Sequence, residues 1–255
     1  MGRIVIDAEP HPIAIDPGRT ALIIIDMQRD FLEPGGFGET LGNDVSLLSA
    51  AIEPCRALLD RARALRHAGH PHARGPPARS WRTPRGPRSS AGAPSLRIGA
   101  PGPMGRILIR GSAGHDIVPE LYPREGEPVV DKPGKGAFYA TDLHSILHNH
   151  RIESLIVCGV TTEVCVHTTV REANDRGYQC IVPGDCCGSY FPEFHEVGLR
   201  MIAAQGGIFG WVTDSRRVIA ALGSLLGGVT RLERGEGSSC EAAPEGSRRG
   251  VLSVR

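Results

Sequence analysis

Three residues stand where their side chains suit chemistry. Asp26 ends the apolar run ALIII, Lys132 follows the short run VV in VVDKPGKG, and Cys165 lies in GVTTEVCV. The last string reads as a strand, a glycine-containing turn and the first turn of a helix. A thiol there has its thiolate favoured by unpaired N–H groups and the helix dipole, as a nucleophile requires. The same N–H groups suit the oxyanion of a tetrahedral intermediate. Asp26 and Lys132 each follow a strand, at the end where open α/β sheets place their ligands. Taken singly, each residue has a plainer reading: a strand-end carboxylate capping a turn, a solvated lysine, a cysteine serving as a small core hydrophobe.

The elements that must carry these residues are legible from apolar spacing. Ala21 to Ile25 and Ser154 to Val160 are short runs rich in Ile, Val and Leu, the pattern of parallel strands buried on both faces. Pro54 to Ala68 places Leu58, Leu59, Ala62 and Leu65 at helical spacing, with Pro54 in a first turn and Gly69 as a C-terminal cap. Further helices are expected over Leu143–His150, Thr162–Arg176, Pro192–Gln205 and Val218–Leu225. Strands are expected at Val129–Val130, Gln179–Val182 and Gly207–Val212. The alternation predicts an α/β three-layer sandwich with a mainly parallel central sheet.

Composition narrows the classes. The chain has 255 residues with 29 basic against 28 acidic and 40% hydrophobic residues, enough for one core-bearing domain over residues 1–226. The charge balance argues against a nucleic-acid partner. No apolar run is long enough for a bilayer and no signal-peptide layout opens the chain, so no membrane partner and a cytoplasmic location are expected. Seven cysteines, an odd number without CxxC spacing, read as reduced thiols, and no metal-ligand spacing convinces at His67, His70 and His72. No GxGxxG or P-loop follows a strand, against a dinucleotide or phosphate binder.

The strings DMQRDF, KPGKGAFYATDL and GVTTEVCVHTTVREANDRGY, in this order and spacing, resemble the isochorismatase-like cysteine hydrolases over about Thr20–Gly69 and Pro94–Leu222. The resemblance implies that family's fold, a catalytic triad of Asp26, Lys132 and Cys165, no cofactor, and a homotetramer. It also implies a non-proline cis peptide at Val160–Thr161 that turns backbone N–H groups at Thr161 and Cys165 toward the oxyanion. DFLEPGGFGETLGNDVSLL, PSLRIG, GPMGRILIRG, SYFPEFH and AQGGIFGW extend the likeness to biuret hydrolase and its carbamoyl-amide-cleaving relatives. For these, Phe31 lines the substrate slot while Lys135 and Gln205 bind the carbonyl and amide groups of a flat ureide. Core packing for Phe31, a loop lysine for Lys135 and a helix-end residue for Gln205 stay open as alternatives. The implied reaction is hydrolysis of biuret to urea-1-carboxylate and ammonia through a thioester. Related activities on ureidoacrylate, triuret or N-carbamoylsarcosine, isochorismatase itself, and a silent binding or assembly module are the alternatives.

One stretch departs from the relatives. Arg61 to His115 has no acidic residue, and Arg66 to Ser95 has no Val, Ile, Leu or Phe. Such a segment cannot offset its ordering entropy by burial, so coil is expected over about 71–93, as is disorder over 227–255. The relatives carry a second strand here, followed by a loop resembling TREGHRPDL. One nucleotide choice for His72–Trp81, CAC GCG CGA GGG CCA CCG GCC CGA TCT TGG, when read from its second base spells TREGHRPDL. Residues 71–93 are therefore read as out of frame, with the second strand lost; a genuine basic loop is the alternative. Restoring the frame is expected to raise both activity and soluble yield, and equal activity of the two versions would refute that reading.

Overall fold

The computed structural model describes residues 3–67, 97–232 and 250–254. The chain opens with a hairpin of β1 (Ile4–Ile6) and β2 (Ile13–Ile15), then β3 (Thr20–Ile25). Three single-turn helices follow, α1 (Arg29–Leu32), α2 (Phe37–Thr40) and α3 (Ser46–Ser49), before the long α4 (Ile52–His67). A small hairpin, β4 (Pro101–Gly102) and β5 (Gly105–Arg106), precedes β6 (Val129–Val130) and α5 (Leu143–Asn149). Next come β7 (Ser154–Val160), α6 (His167–Asn174), β8 (Gln179–Pro183) and β9 (Cys187–Gly188). The last elements are α7 (Pro192–Gly207), β10 (Trp211–Thr213), α8 (Ser215–Leu232) and β11 (Gly250–Val254).

The central sheet runs β10-β8-β7-β3-β11-β6, with β9 also on β7, and every pairing in it is parallel. Helices cover it: α4 packs on β3, β11 and α8, while α6 meets β8 and α7 meets β10. All residues of β3 and β7 are buried, as their unbroken apolar runs require of strands covered on both faces. Leu58, Leu59 and Leu65 form the buried stripe of α4. The expected α/β sandwich with a parallel sheet is the observed fold. The N-terminal hairpin, which apolar spacing alone did not reveal, clips onto the edge strand β10 through reciprocal Glu9–Val212 backbone hydrogen bonds of 2.8 and 2.9 Å. This covers an otherwise open sheet edge.

Two expectations need correction. The strand expected over Gly207–Val212 starts only at Trp211, because Gly207 and Gly210 adopt positive φ in a turn. Disorder from 227 onward fails twice: α8 continues to Leu232, and Gly250–Val254 is a strand. The position beside β3 is therefore not empty. A short β-branched apolar segment finds there backbone donors and acceptors on two sides, and burying them unpaired would be costly. The coil expected over 71–93 and residues 233–249 of the expected tail lie outside the described residues. Among the described residues, no helix is long and apolar enough to cross a membrane.

A buried ion pair ties α4 to the loop before β6. Arg63 donates Nε to Glu127 Oε1 at 2.9 Å and Nη2 to Glu127 Oε2 at 2.7 Å, and Nη2 also reaches the Tyr122 carbonyl at 2.9 Å. Both side chains are under a tenth exposed. Arg63→Met leaves the Glu127 carboxylate buried without its main partner and is expected to destabilise the fold by ~3–5 kcal/mol, read from the denaturation midpoint.

Candidate active site

The site is built at the carboxyl ends of β3, β6 and β7. Asp26 is the first residue after β3 and sits in the left-handed region at φ 50°. Its N–H donates to the Val254 carbonyl at 2.8 Å, and its own carbonyl accepts from Gln28 at 2.7 Å, so backbone partners on both sides hold the unusual conformation. Lys132 stands two residues past β6. Cys165 lies in a π-turn, Thr162–Val166, between β7 and α6. A wide turn inserted at a helix start is a recurrent feature of functional sites.

These three residues converge. Lys132 Nζ lies 2.8 Å from Asp26 Oδ2 and 3.5 Å from Cys165 Sγ, and it donates to the Gly134 carbonyl at 3.0 Å. The three protons of the ammonium thus have three acceptors. The carboxylate is 4% exposed and the ammonium 7%, which makes this an ion pair deep in the protein with a thiol at its edge.

The electrostatics follow from that burial. Desolvation pushes the Cys165 thiol up to about 12, and the Asp26 charge and its hydrogen bond push the same way. Lys132 and Lys135 pull it down. Burial alone would lower the Lys132 ammonium, but the charges of Asp26 and Cys165 outweigh it and leave the pKa raised. At neutral pH the resting site therefore holds a protonated thiol and an ammonium.

The scaffold of the turn that carries Cys165 is dense. Thr169 donates to the Cys165 carbonyl at 2.7 Å and accepts from the Ala137 N–H at 3.1 Å. Glu172 accepts from the Phe138 N–H at 3.1 Å and fills the space where any side chain on Gly136 would lie. α6 thereby fixes both the cysteine and the lysine loop. Thr162 shares a 2.8 Å hydrogen bond with His195 Nδ1 of α7. Gly159, at φ +115°, lets β7 approach β3 so closely that a Cβ would fall 2.0 Å from the Ile25 carbonyl oxygen. None of Thr169, Glu172 and His195 was singled out from sequence. The only signal was their placement one and two helical turns after Cys165, or inside SYFPEFH.

Of the other expected site features, the Val160–Thr161 peptide is cis. Lys135 is exposed and close enough for its charge to act on Cys165. Phe31, on α1, is half-buried against the core, and its carbonyl accepts from the Tyr190 hydroxyl at 2.8 Å. Gln205 is exposed where α7 breaks, at φ 53°, with no hydrogen bond to Asp26, Lys132 or Cys165. The structure thus gathers the three central residues and Lys135. It leaves Phe31 and Gln205 without a direct tie to them.

Comparison with known proteins identifies the family. The Isochorismatase domain model matches residues 20–217. Ureidoacrylate amidohydrolase RutB of Methylobacterium radiotolerans is 32% identical over 248 residues, covering 92% of this chain and 90% of that protein. The protein of the same name from Methylorubrum extorquens is 32% identical over 88% of this chain and 90% of its own length. Among solved structures, a cysteine hydrolase from Pseudomonas syringae pv. phaseolicola superposes with a TM-score of 0.62 at 27% identity, covering 82% of this chain and 95% of that one.

The sign of the coupling is testable. Asp26 raises the thiol pKa, so Asp26→Asn is expected to lower it. Iodoacetamide should then alkylate Cys165 faster at pH 8 than in the unmodified chain, with its pH midpoint moved below about 12. Lys132→Met should slow alkylation, because it removes the charge that favours the thiolate.

Proposed function

The chain belongs to the isochorismatase family, and from that premise we propose that it is a cysteine-dependent amidohydrolase of small ureides. The observation that carries this reading is the buried Lys132 ammonium placed 2.8 Å from the Asp26 carboxylate and 3.5 Å from the Cys165 sulfur. The matched relatives are hydrolases, and the ureidoacrylate amidohydrolases among them cleave an amide C–N bond.

A thiol held near pKa 12 is not a standing nucleophile; ionising it at neutral pH costs roughly 7 kcal/mol. A base in contact with it, taking the proton as the sulfur attacks, removes most of that cost. Asp26 is that base. In the first half-reaction the Cys165 sulfur adds to the terminal carbonyl of R–NH–CO–NH2. Asp26 accepts the thiol proton and passes it to the departing nitrogen, so ammonia leaves and a thioester remains. In the second, Asp26 takes a proton from water as it attacks the thioester, then returns it to the sulfur; the product is R–NH–COOH, which loses its remaining acidic proton to solvent as R–NH–COO−. Lys132 orients Asp26 through their 2.8 Å contact and offsets negative charge on sulfur. Backbone N–H groups at Thr161 and Cys165, beside Val160, are assigned to the oxyanion, where each such donor typically contributes ~3 kcal/mol. Lys135, Phe31 and Gln205 are assigned to the ureide itself.

Within this class, the strings shared with biuret hydrolase support biuret, cleaved to urea-1-carboxylate and ammonia. The 32% likeness to ureidoacrylate amidohydrolases over nine-tenths of their length supports ureidoacrylate as the second reading. The two substrates share the terminal carbamoyl group on which every step above depends. Self-association is part of the proposal: Phe194, Val197 and Met201 line one exposed face of α7, an apolar stripe suited to a second copy in the expected homotetramer. Free cysteines throughout the described residues suit the cytoplasm.

Ammonia release from biuret, ureidoacrylate, triuret and N-carbamoylsarcosine tests the reading. Cys165→Ala is expected to abolish release outright. Partial loss would name another nucleophile, and no release from any of these ureides by the unmodified chain would leave a silent binding module.

A further inference from the structure

The two charged residues of the site come from strands that do not touch. β3 carries Asp26 and β6 leads to Lys132, and between them lies β11, the last element of the chain. Its register is continuous on one side, Gly250 opposite Ala21 through Val254 opposite Ile25, and on the other Ser253 and Val254 stand opposite Val129 and Val130. Adjacent strands lie about 4.8 Å apart, so β3 and β6 are held roughly two strand spacings apart. The 2.8 Å contact between Asp26 and Lys132 is made across that gap by side-chain reach alone.

β11 bonds to both neighbours at the catalytic end. The Val254 carbonyl accepts the N–H of Asp26 itself at 2.8 Å, and the Ser253 N–H donates to the Pro128 carbonyl at 3.1 Å. Leu252, Ser253 and Val254 are all buried. A right-handed crossover from β3 through α4 would place its next strand in this slot. The sequence after α4 has no Val, Ile, Leu or Phe from Arg66 to Ser95 with which to build one. The slot is filled from the other end of the chain.

We propose that the C-terminal strand Gly250–Val254 is the positioning element of the active site, with Ser253 and Val254 setting the separation and orientation of Asp26 and Lys132. It goes beyond the proposed function but rests on the same pairing of Asp26 with Lys132 and Cys165. Val254 holds Asp26 in its left-handed conformation, and Ser253 anchors the strand that leads to Lys132. No strand following α4 in sequence is then needed for the site to assemble.

The tests use the full chain, and the first two need no substrate. Hydrogen exchange is expected to protect the amides of Gly250–Val254 to within tenfold of those of Ser154–Val160; exchange at the rate of an unstructured peptide overturns the proposal. In stepwise mild guanidinium, loss of that protection should coincide with a change in the Cys165 alkylation rate. A rate unchanged after the protection is gone also overturns it. Ser253→Pro removes the N–H given to Pro128 while keeping the Val254 carbonyl. It is expected to lower kcat for ammonia release at least tenfold with KM within threefold, while Ser253→Ala, which keeps the N–H, stays within threefold of the unmodified chain. Full kcat in Ser253→Pro would overturn the proposal. Absence of ammonia release from the unmodified chain, with protection and alkylation still coupled, would fail the substrate reading and leave the strand's role standing.

Discussion

A lysine ammonium buried beside a carboxylate and a thiol is the constraint from which the rest of the molecule can be derived. Neither charge of the Asp26–Lys132 pair is more than 7% exposed, and removing an ion from water costs several kcal/mol unless partners replace the lost hydration. Lys132 meets that demand with three acceptors arriving from three places: the end of β3, its own loop and the turn after β7. The strand ends therefore have to meet in one plane and one direction, which a parallel sheet provides. The thiol shares the consequence. Placed in the same dry environment beside the Asp26 charge, it is held protonated at neutral pH.

Much of this was legible in the sequence, for reasons that can be given residue by residue. β3 and β7 are buried on both faces, so their apolar runs are unbroken and their ends are marked by the first residues that cannot be buried alone. α4, α5 and α7 begin or lie where the 3.6-residue pattern of Leu and Ile placed them, and β6 is the two valines expected. Asp26, Lys132 and Cys165 were accessible for the same reason: each stands at the carboxyl end of a strand that could be read. The cis peptide at Val160–Thr161, by contrast, came from likeness to a family and from nothing in local spacing.

What escaped the sequence depends on partners far along the chain. β1 and β2 are three residues each, too short for a pattern, and exist because they pair with each other and Glu9 pairs with Val212. Thr169 and Glu172 look like ordinary helix residues until the loop of Ala137 and Phe138 is laid against them. Gln205 follows the apolar pattern of a helix, yet its backbone turns to positive φ because three glycines within the next five residues break α7 before β10. β11 is the extreme case. Five residues after a polar stretch are too short to show a pattern, and their stabilisation comes from β3, β6 and α4, all distant in sequence.

That last element also changes how the anomalous segment after α4 bears on function. A parallel sheet with a vacant interior position would leave unpaired the backbone groups of β3 that face away from β7, and with them the N–H of Asp26, and each buried unpaired group costs about 1–3 kcal/mol. Loss of the strand expected there would on that ground alone dissolve the site. A segment of compatible register from elsewhere relieves the whole ladder, because a parallel pairing asks only for backbone geometry and for apolar side chains on both faces. Leu252 and Val254 are buried apolar residues on one face and Ser253 is buried on the other, while the bonds from Asp26 and to Pro128 supply the backbone geometry. A chain with its own strand after α4 and the same C-terminus would hold two candidates for one slot. The intact fold around the Asp26–Lys132 pair therefore argues that the slot, rather than the identity of the segment filling it, is what the site requires.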